Sequence, residues 1–222
     1  MASDKPVNDG DAPSGIEIDE RDRVFDGYFK VERLTLRHEL YQGGWSAPLV
    51  REVLSRGHAV AVLPYDPLRG EIVLVEQFRV AALKAFDEPG AQVGPEQSPN
   101  GAWLLECIAG IVEDGEAAVE AAVREAIEEA GCVVDDLIHA RSFLTSPGCL
   151  TESVSFFCGR TDASGVGGVH GVDHEGEDIR VVKMSPQAAF DLMDSGGINN
   201  AFTLIALEWL RGNIAELDRR WS

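Results

Sequence analysis

Between Phe29 and Leu40 apolar and polar residues alternate, with Phe29 and Val31 out of phase with Leu34 and Leu36, which predicts a half-buried strand carrying a register break. A second strand is expected over 49–54. The runs His58–Tyr65 and Glu71–Phe78 are rich in β-branched and apolar residues. Asp66-Pro-Leu-Arg-Gly70 between them supplies one fixed φ and one residue free to take positive φ, so the two runs read as a core hairpin. Residues 84–100 hold three prolines and two glycines and read as an exposed loop. A short strand over 103–108 should follow.

From Glu116 to Ala130, Val119, Ala122, Val123, Ala126, Ile127 and Ala130 recur at helical spacing, and Gly131 stands where a helix end favours a left-handed residue. Strands are expected over 137–144, 153–158 and 179–184, with a Gly-rich acidic loop over 161–178. Ser185-Pro186 is an N-cap followed by proline at the first helical position, opening a helix that ends before Gly196-Gly197. Phe202, Leu204, Ile205, Leu207 and Leu210 predict a last helix. Strands, one internal helix, further strands and two terminal helices make the fold class α+β, without an internal repeat.

The chain has 222 residues, with 38 Asp plus Glu against 19 Lys plus Arg, giving a formal net charge of −19. That balance offers no footprint for a phosphate backbone, so nucleic acid is not an expected partner. Cys107, Cys132, Cys149 and Cys158 form no CxxC pair, and the N-terminus has neither a basic nor an apolar leader region. These features predict reduced thiols, a cytoplasmic location and no membrane association. Residues 1–22 carry seven acidic residues and few apolar ones and are expected to form an unstructured tail.

Glu125, Glu128 and Glu129 fall on one side of the internal helix, with Glu116 upstream. If the three were ionised and partly buried ~6 Å apart, each pair would repel by roughly 3 kcal/mol at an effective dielectric of ~20. Buried carboxylates of this kind need a cation, and an all-oxygen set suits Mg²⁺ or Mn²⁺. On a solvated face the same charges cost only about 0.2–0.5 kcal/mol per pair. By itself, then, the cluster reads more readily as a soluble surface.

The wider pattern is Gly110, five residues, Glu116, seven residues, then Arg124-Glu125-Ala126-Ile127-Glu128-Glu129-Ala130-Gly131-Cys132. It resembles the Nudix hydrolase signature at every defining position. The resemblance implies an α/β/α sandwich around a mixed sheet, and hydrolysis of a nucleoside diphosphate linked to another moiety, with Mg²⁺ or Mn²⁺ as cofactor. Pro147 falls sixteen residues after Gly131, as in the ADP-ribose pyrophosphatases of the family. That likeness extends through Phe25-Asp-Gly-Tyr-Phe29, Val50-Arg-Glu-Val53, Glu76-Gln-Phe-Arg79 and 171–180. It departs in a longer 84–100 loop and in Tyr28, where phenylalanine is the expected residue.

What the resemblance implies for the site is specific. Glu125 and Glu129 would be the main metal ligands, together with the Ala109 carbonyl, Glu116 and Glu177. Glu175, Glu128 and Arg124 would form the catalytic set, with Glu175 as general base, Glu128 assisting at the metal and Arg124 pairing with Glu116. His174, Glu152 and Glu177 are rivals for the base. Tyr28, Arg51, Glu52, Arg79 and Pro147 would contact substrate, with Tyr28, Arg51 and Glu52 acting in the neighbouring subunit of a domain-swapped homodimer. The expected organisation is a tail over 1–22, a dimerising β region over 23–56 and the hydrolase domain over 57–215. ADP-ribose is the expected small-molecule substrate. The alternatives are GDP-mannose or an ADP-hexose, or a non-catalytic ADP-ribose sensor.

Overall fold

A computed structural model describes residues 12–88, 101–172 and 176–221. The chain divides into two compact units, one of residues 1–57 and 144–152, the other of residues 58–143 and 153–222.

The first unit is a three-stranded antiparallel sheet in the order β1 (Ile16–Asp26), β2 (Lys30–His38), β3 (Leu49–Ser55). The register break expected within 29–40 is absent from β2, which pairs without interruption with β3; the shifts fall on β1 instead, between Ile18 and Glu20 and again between Arg23 and Phe25. β1 corrects the expectation of a tail through residue 22. Its backbone is satisfied by the β2 ladder, and its charges pair across strands, Arg37 with Glu17 and Arg23 with Glu32, so a polar strand forms without burying apolar surface. Residues 1–11 of that tail lie outside the described residues. The 144–152 segment belongs to this unit: the Leu54 N–H donates to the Cys149 carbonyl at 2.8 Å, and the Thr151 N–H to that of Leu54 at 3.0 Å.

The second unit is built on a mixed sheet. Its strands are β4 (Ala59–Asp66), β5 (Glu71–Phe78), β6 (Trp103–Glu106), β7 (Ile108–Ile111), β8 (Val134–Leu144), β9 (Ser153–Thr161), β10 (Val169–His170) and β11 (Ile179–Met184). They run in the order β10-β11-β5-β4-β9-β8, with β6 added to β5 and β7 to β4. β4 and β9 are parallel and the β4–β5 hairpin is antiparallel, as the Asp66–Gly70 turn predicted. Every residue of β4 is buried, because both faces of the sheet are covered.

Alternation along the strands divides the core in two. Val60, Val62, Val73, Val75 and Ile108 pack against Ala121, Ala122, Ala126 and Ala130 of α2 (Ala118–Ala130). Ala61, Leu63, Ile72, Leu74 and Phe156 pack against Ala189 and Phe190 of α3 (Pro186–Asp194) and Ala206, Leu207 and Leu210 of α4 (Ala201–Trp221). This is the expected α/β/α sandwich.

Strands β8 and β9 run longer than expected, α2 starts two residues later, β10 lies inside the loop expected over 161–178, and three further differences have a clear physical reason. The single strand over 103–108 is two: the Cys107 N–H donates to Thr203 Oγ1 at 2.8 Å instead of to the ladder, and the chain passes there from β5 to β4. Helix α1 (Val80–Asp87), rich in Ala, Leu and Lys, takes the first residues of the expected loop, whose 89–100 part lies outside the described residues. Helix α4 runs to Trp221, past the expected domain end at 215, because Leu217 and Trp221 are buried and Tyr65 Oη donates to Asp218 at 2.6 Å. Among the described residues no helix is long and apolar enough to cross a membrane. None of the four cysteines is paired.

Candidate active site

Small residues let α2 approach β7 closely, and Gly110 decides how closely: a Cβ there would lie 1.8 Å from Glu125 Oε1. The Glu125 carboxylate therefore rests against the β7 backbone. Four residues on, Glu129 is 3% exposed, with Oε2 accepting from the Ala109 N–H at 3.1 Å and Oε1 from Gln77 Nε2 at 3.3 Å. Helical spacing thus delivers both carboxylates to one strand edge.

Arg124 organises the rest. Nε and Nη2 donate to the two oxygens of Glu116 at 2.9 and 3.0 Å, Nη1 donates to Glu125 at 2.7 Å and to Glu128 at 2.9 Å, and Nη2 also reaches the Ile111 carbonyl at 3.0 Å. All five donors of the guanidinium have an acceptor. Glu116, expected among the metal ligands, has both oxygens committed to Arg124, and Oε2 also accepts from the Glu113 N–H at 3.0 Å.

The electrostatics of the carboxylates diverge. Burial pushes Glu129 up to about 8, against the pull of the Ala109 N–H, and the neighbouring Glu125 charge adds to the rise. Burial also raises Glu125, although Arg124 opposes it. Glu116 moves the other way, held at about 2 chiefly by its hydrogen bonds from Arg124. Two buried carboxylates are therefore short of positive charge while their neighbour is saturated with it.

Among the described residues no three acidic, histidine or cysteine side chains already converge on one point. The donors still suit a hard divalent cation, since Glu125, Glu129, Glu128 and the Ala109 carbonyl are all oxygen donors, and Glu125 and Glu129 are the buried, under-neutralised pair.

Arg79 donates through Nε and Nη2 to Glu106 Oε2 at 3.0 and 2.7 Å, and the charges of Glu129 and Glu177 act on it. Glu177 Oε2 accepts from the Val172 N–H at 3.0 Å. Glu175 and His174 lie outside the described residues. Gln77 and Glu106 were not anticipated. Their signal was the alternation of β5 and β6, which turns Gln77 and Arg79 to the same sheet face as Val75, opposite Glu106.

The remaining candidates belong to the first unit. Tyr28 is 70% exposed, edge-on to Phe29 with ring centroids 5.0 Å apart. Arg51 is exposed and Glu52 pairs with Arg33 at 2.8 Å. Pro147 sits in the turn closed by the Leu150 N–H on the Ser146 carbonyl at 2.9 Å. Glu152, a rival for the base, is 4% exposed and paired with Arg56 at 2.8 Å.

Comparison with known proteins bears on this arrangement. A NUDIX domain model matches residues 55–194. The chain is 40% identical over 207 residues to an ADP-ribose pyrophosphatase of Escherichia coli (strain K12), covering 93% of each. It is 30% identical over 200 residues to a GDP-mannose pyrophosphatase of Pectobacterium atrosepticum, covering 88% of this chain and 93% of that one. A solved structure described as an ADP compounds hydrolase shares the fold, with a TM-score of 0.68 at 19% identity over 95% of this chain and all of that one.

Proposed function

The chain belongs to the Nudix hydrolase family, and from that premise we propose that it hydrolyses the pyrophosphate of ADP-ribose to AMP and ribose 5-phosphate. The observation that carries the reading is the pair Glu125 and Glu129, buried against β7 with Arg124 as the one cation hydrogen-bonded to Glu125, in a chain 40% identical to an ADP-ribose pyrophosphatase. Water attacks one phosphorus, a P–O bond forms, the bridging P–O bond breaks, and the water proton passes to a carboxylate.

Glu125, Glu129 and the Ala109 carbonyl hold the divalent cation, with Glu128 and Glu177 beside them, and Mg²⁺ is our assignment for it. Once bound, the cation neutralises the pyrophosphate and lowers the pKa of the attacking water. Glu116 acts through Arg124, whose fork fixes the Glu125 and Glu128 rotamers. Arg79, oriented by Glu106, meets a substrate phosphate. We assign Glu175 as general base.

The first unit we assign to a homodimer: Ile16, Ile18, Phe25, Tyr28 and Val50 are all exposed, on β1, on β3 and in the β1–β2 turn. There Tyr28 would stack on adenine, and Arg51, Glu52 and Pro147 would border the substrate. A cytoplasmic enzyme on a small soluble substrate fits the free thiols. GDP-mannose is the second reading, favoured by the 30% identity to a GDP-mannose pyrophosphatase.

Product analysis with Mg²⁺ tests these assignments. AMP and ribose 5-phosphate from ADP-ribose, little product from GDP-mannose, and loss of turnover in Glu175→Gln are the expected results. Preferred cleavage of GDP-mannose would transfer the assignment to that substrate, and binding without cleavage would make the protein a sensor.

A further inference from the structure

The end of α2 does more than terminate a helix. Gly131 takes φ +57°, and the space its missing Cβ leaves is filled by an imidazole: a Cβ there would lie 2.6 Å from His170 Cε1 and 3.3 Å from both ring nitrogens. His170 is the last residue of β10, paired with Ile179 of β11. Its ring is fixed by a second contact, Nε2 donating to the Gly167 carbonyl at 2.9 Å, since a carbonyl can only accept. The next residue continues the docking, because the Gly171 N–H donates to the Glu128 carbonyl at 3.2 Å, within the last turn of α2. Gly171 has φ +113°, and a Cβ there would lie 2.7 Å from Glu177 Cβ. Glu177 closes back on the chain by accepting from the Val172 N–H at 3.0 Å. From this position its charge reaches Glu125, Glu129 and Arg79.

These contacts form one chain of fit: α2 end, His170 ring, Gly171 backbone, Glu177 carboxylate. We propose that His170, seated on Gly131, is a positioning residue for the hydrolytic reaction, docking Gly171 and Val172 onto the signature helix so that Glu177, held by the Val172 N–H, faces the carboxylate cluster. On this account Gly131 has a role beyond helix termination, because any side chain there would evict the ring. The proposal rests on the hydrolase reading for its catalytic consequence. The docking itself is independent of it.

The test uses His170→Ala, His170→Gln, Gly131→Ala and the Gly131→Ala/His170→Ala double variant. Each is read by kcat and KM for ADP-ribose with Mg²⁺, and by amide hydrogen exchange at Gly171 and Val172. His170→Ala should lower kcat by about tenfold with KM little changed, less than the ~10²-fold that a 1 Å misplacement can cost because the Gly171 N–H to Glu128 contact remains, and should speed exchange at both amides. Gln restores a donor near the Nε2 position and should recover most of both. The double variant should be no worse in kcat than the poorer single variant, since both remove the same contact.

Unchanged kcat and exchange in His170→Ala, or losses that multiply in the double variant, would overturn the proposal. If the wild-type protein does not cleave ADP-ribose, the substrate reading fails and exchange alone decides the docking: faster exchange at both amides upholds it, unchanged exchange rejects it.

Discussion

Acidic residues crowd two parts of this molecule, strand β1 and helix α2, and they do opposite things there. On β1 every residue is exposed, and the charges are met by solvent or by exposed partners such as Arg23 and Arg37. Such pairs contribute about 0–1 kcal/mol and tolerate any arrangement that keeps the strand in its ladder. On α2, Glu125 and Glu129 are buried and the positions of their oxygens are fixed by Gly110, Ala109, Gln77 and Arg124. Charge density alone does not separate the two regions. Withdrawal from water does, because only there does an unneutralised carboxylate create demand for a cation.

The sharpest test of that difference is Glu129→Gln. It keeps the shape and removes the charge, and kcat should fall about 10²–10³-fold, the scale seen when one preorganised electrostatic contact is lost. The same substitution should raise the stability of the protein at alkaline pH in EDTA. With Glu129 pushed up to about 8 from a carboxylate's ordinary 4.5, the native state holds the proton more tightly than the unfolded chain. Its stabilising contribution is complete below about 4.5 and is lost as pH rises toward 8. Urea titrations in EDTA should show this decline in the wild type, less of it in Glu129→Gln, and less again in the wild type with saturating Mg²⁺. Glu116 carries the opposite sign. Held at about 2, its contribution is present above the ordinary carboxylate value of 4.5 and fades as pH falls below it toward 2.

How far the sequence revealed this contrast depends on what each feature rests on. Which carboxylates of α2 share a side was legible from its periodic apolar face, but that spacing alone reads as a solvated surface, and it is the resemblance to the Nudix signature, with its gaps to Gly110 and Glu116, that marks them as a site. Gln77 and Glu106 were not, since their part in the site follows from strand pairing between segments 27 residues apart, as the Arg79–Glu106 contact shows. β1 was misread for a related reason: its strand is held by the β2 ladder and cross-strand ion pairs, and composition carries no trace of a ladder. The split of β6 from β7 turned on one hydroxyl, Thr203, from a helix ninety-six residues away.

A middle-sized effect is expected at Arg124. Arg124→Ala leaves Glu116, Glu125 and Glu128 without their shared donor, and hydrogen bonds to charged groups contribute about 1.5–3 kcal/mol each before solvent screening. Arg124 keeps 27% of its side chain exposed, so water takes over part of that role. The net loss should be about 2 kcal/mol by urea denaturation, with a fall in kcat because Glu125 is released. Arg124→Lys should recover little of either, as an ammonium cannot serve five acceptors in a plane. If Lys restores full activity, the fork geometry is not what orders the cluster.

The smallest effect belongs to β1, and it guards the comparison from the other side. Glu17→Gln removes the charge that meets Arg37, and Glu32→Gln, on the neighbouring β2, removes one of the two carboxylates that meet Arg23 of β1, both on side chains 30% or more exposed. Each should change the unfolding free energy by less than about 1 kcal/mol, and the change should shrink further in 0.5 M salt, where exposed pairs are screened. Neither should alter the pH dependence seen in EDTA, because neither carboxylate is withdrawn from water. A loss on β1 as large as that at Arg124 would mean that its ion pairs, and not its backbone ladder, hold the strand, and the distinction between solvated and buried acids would fail where it is easiest to measure.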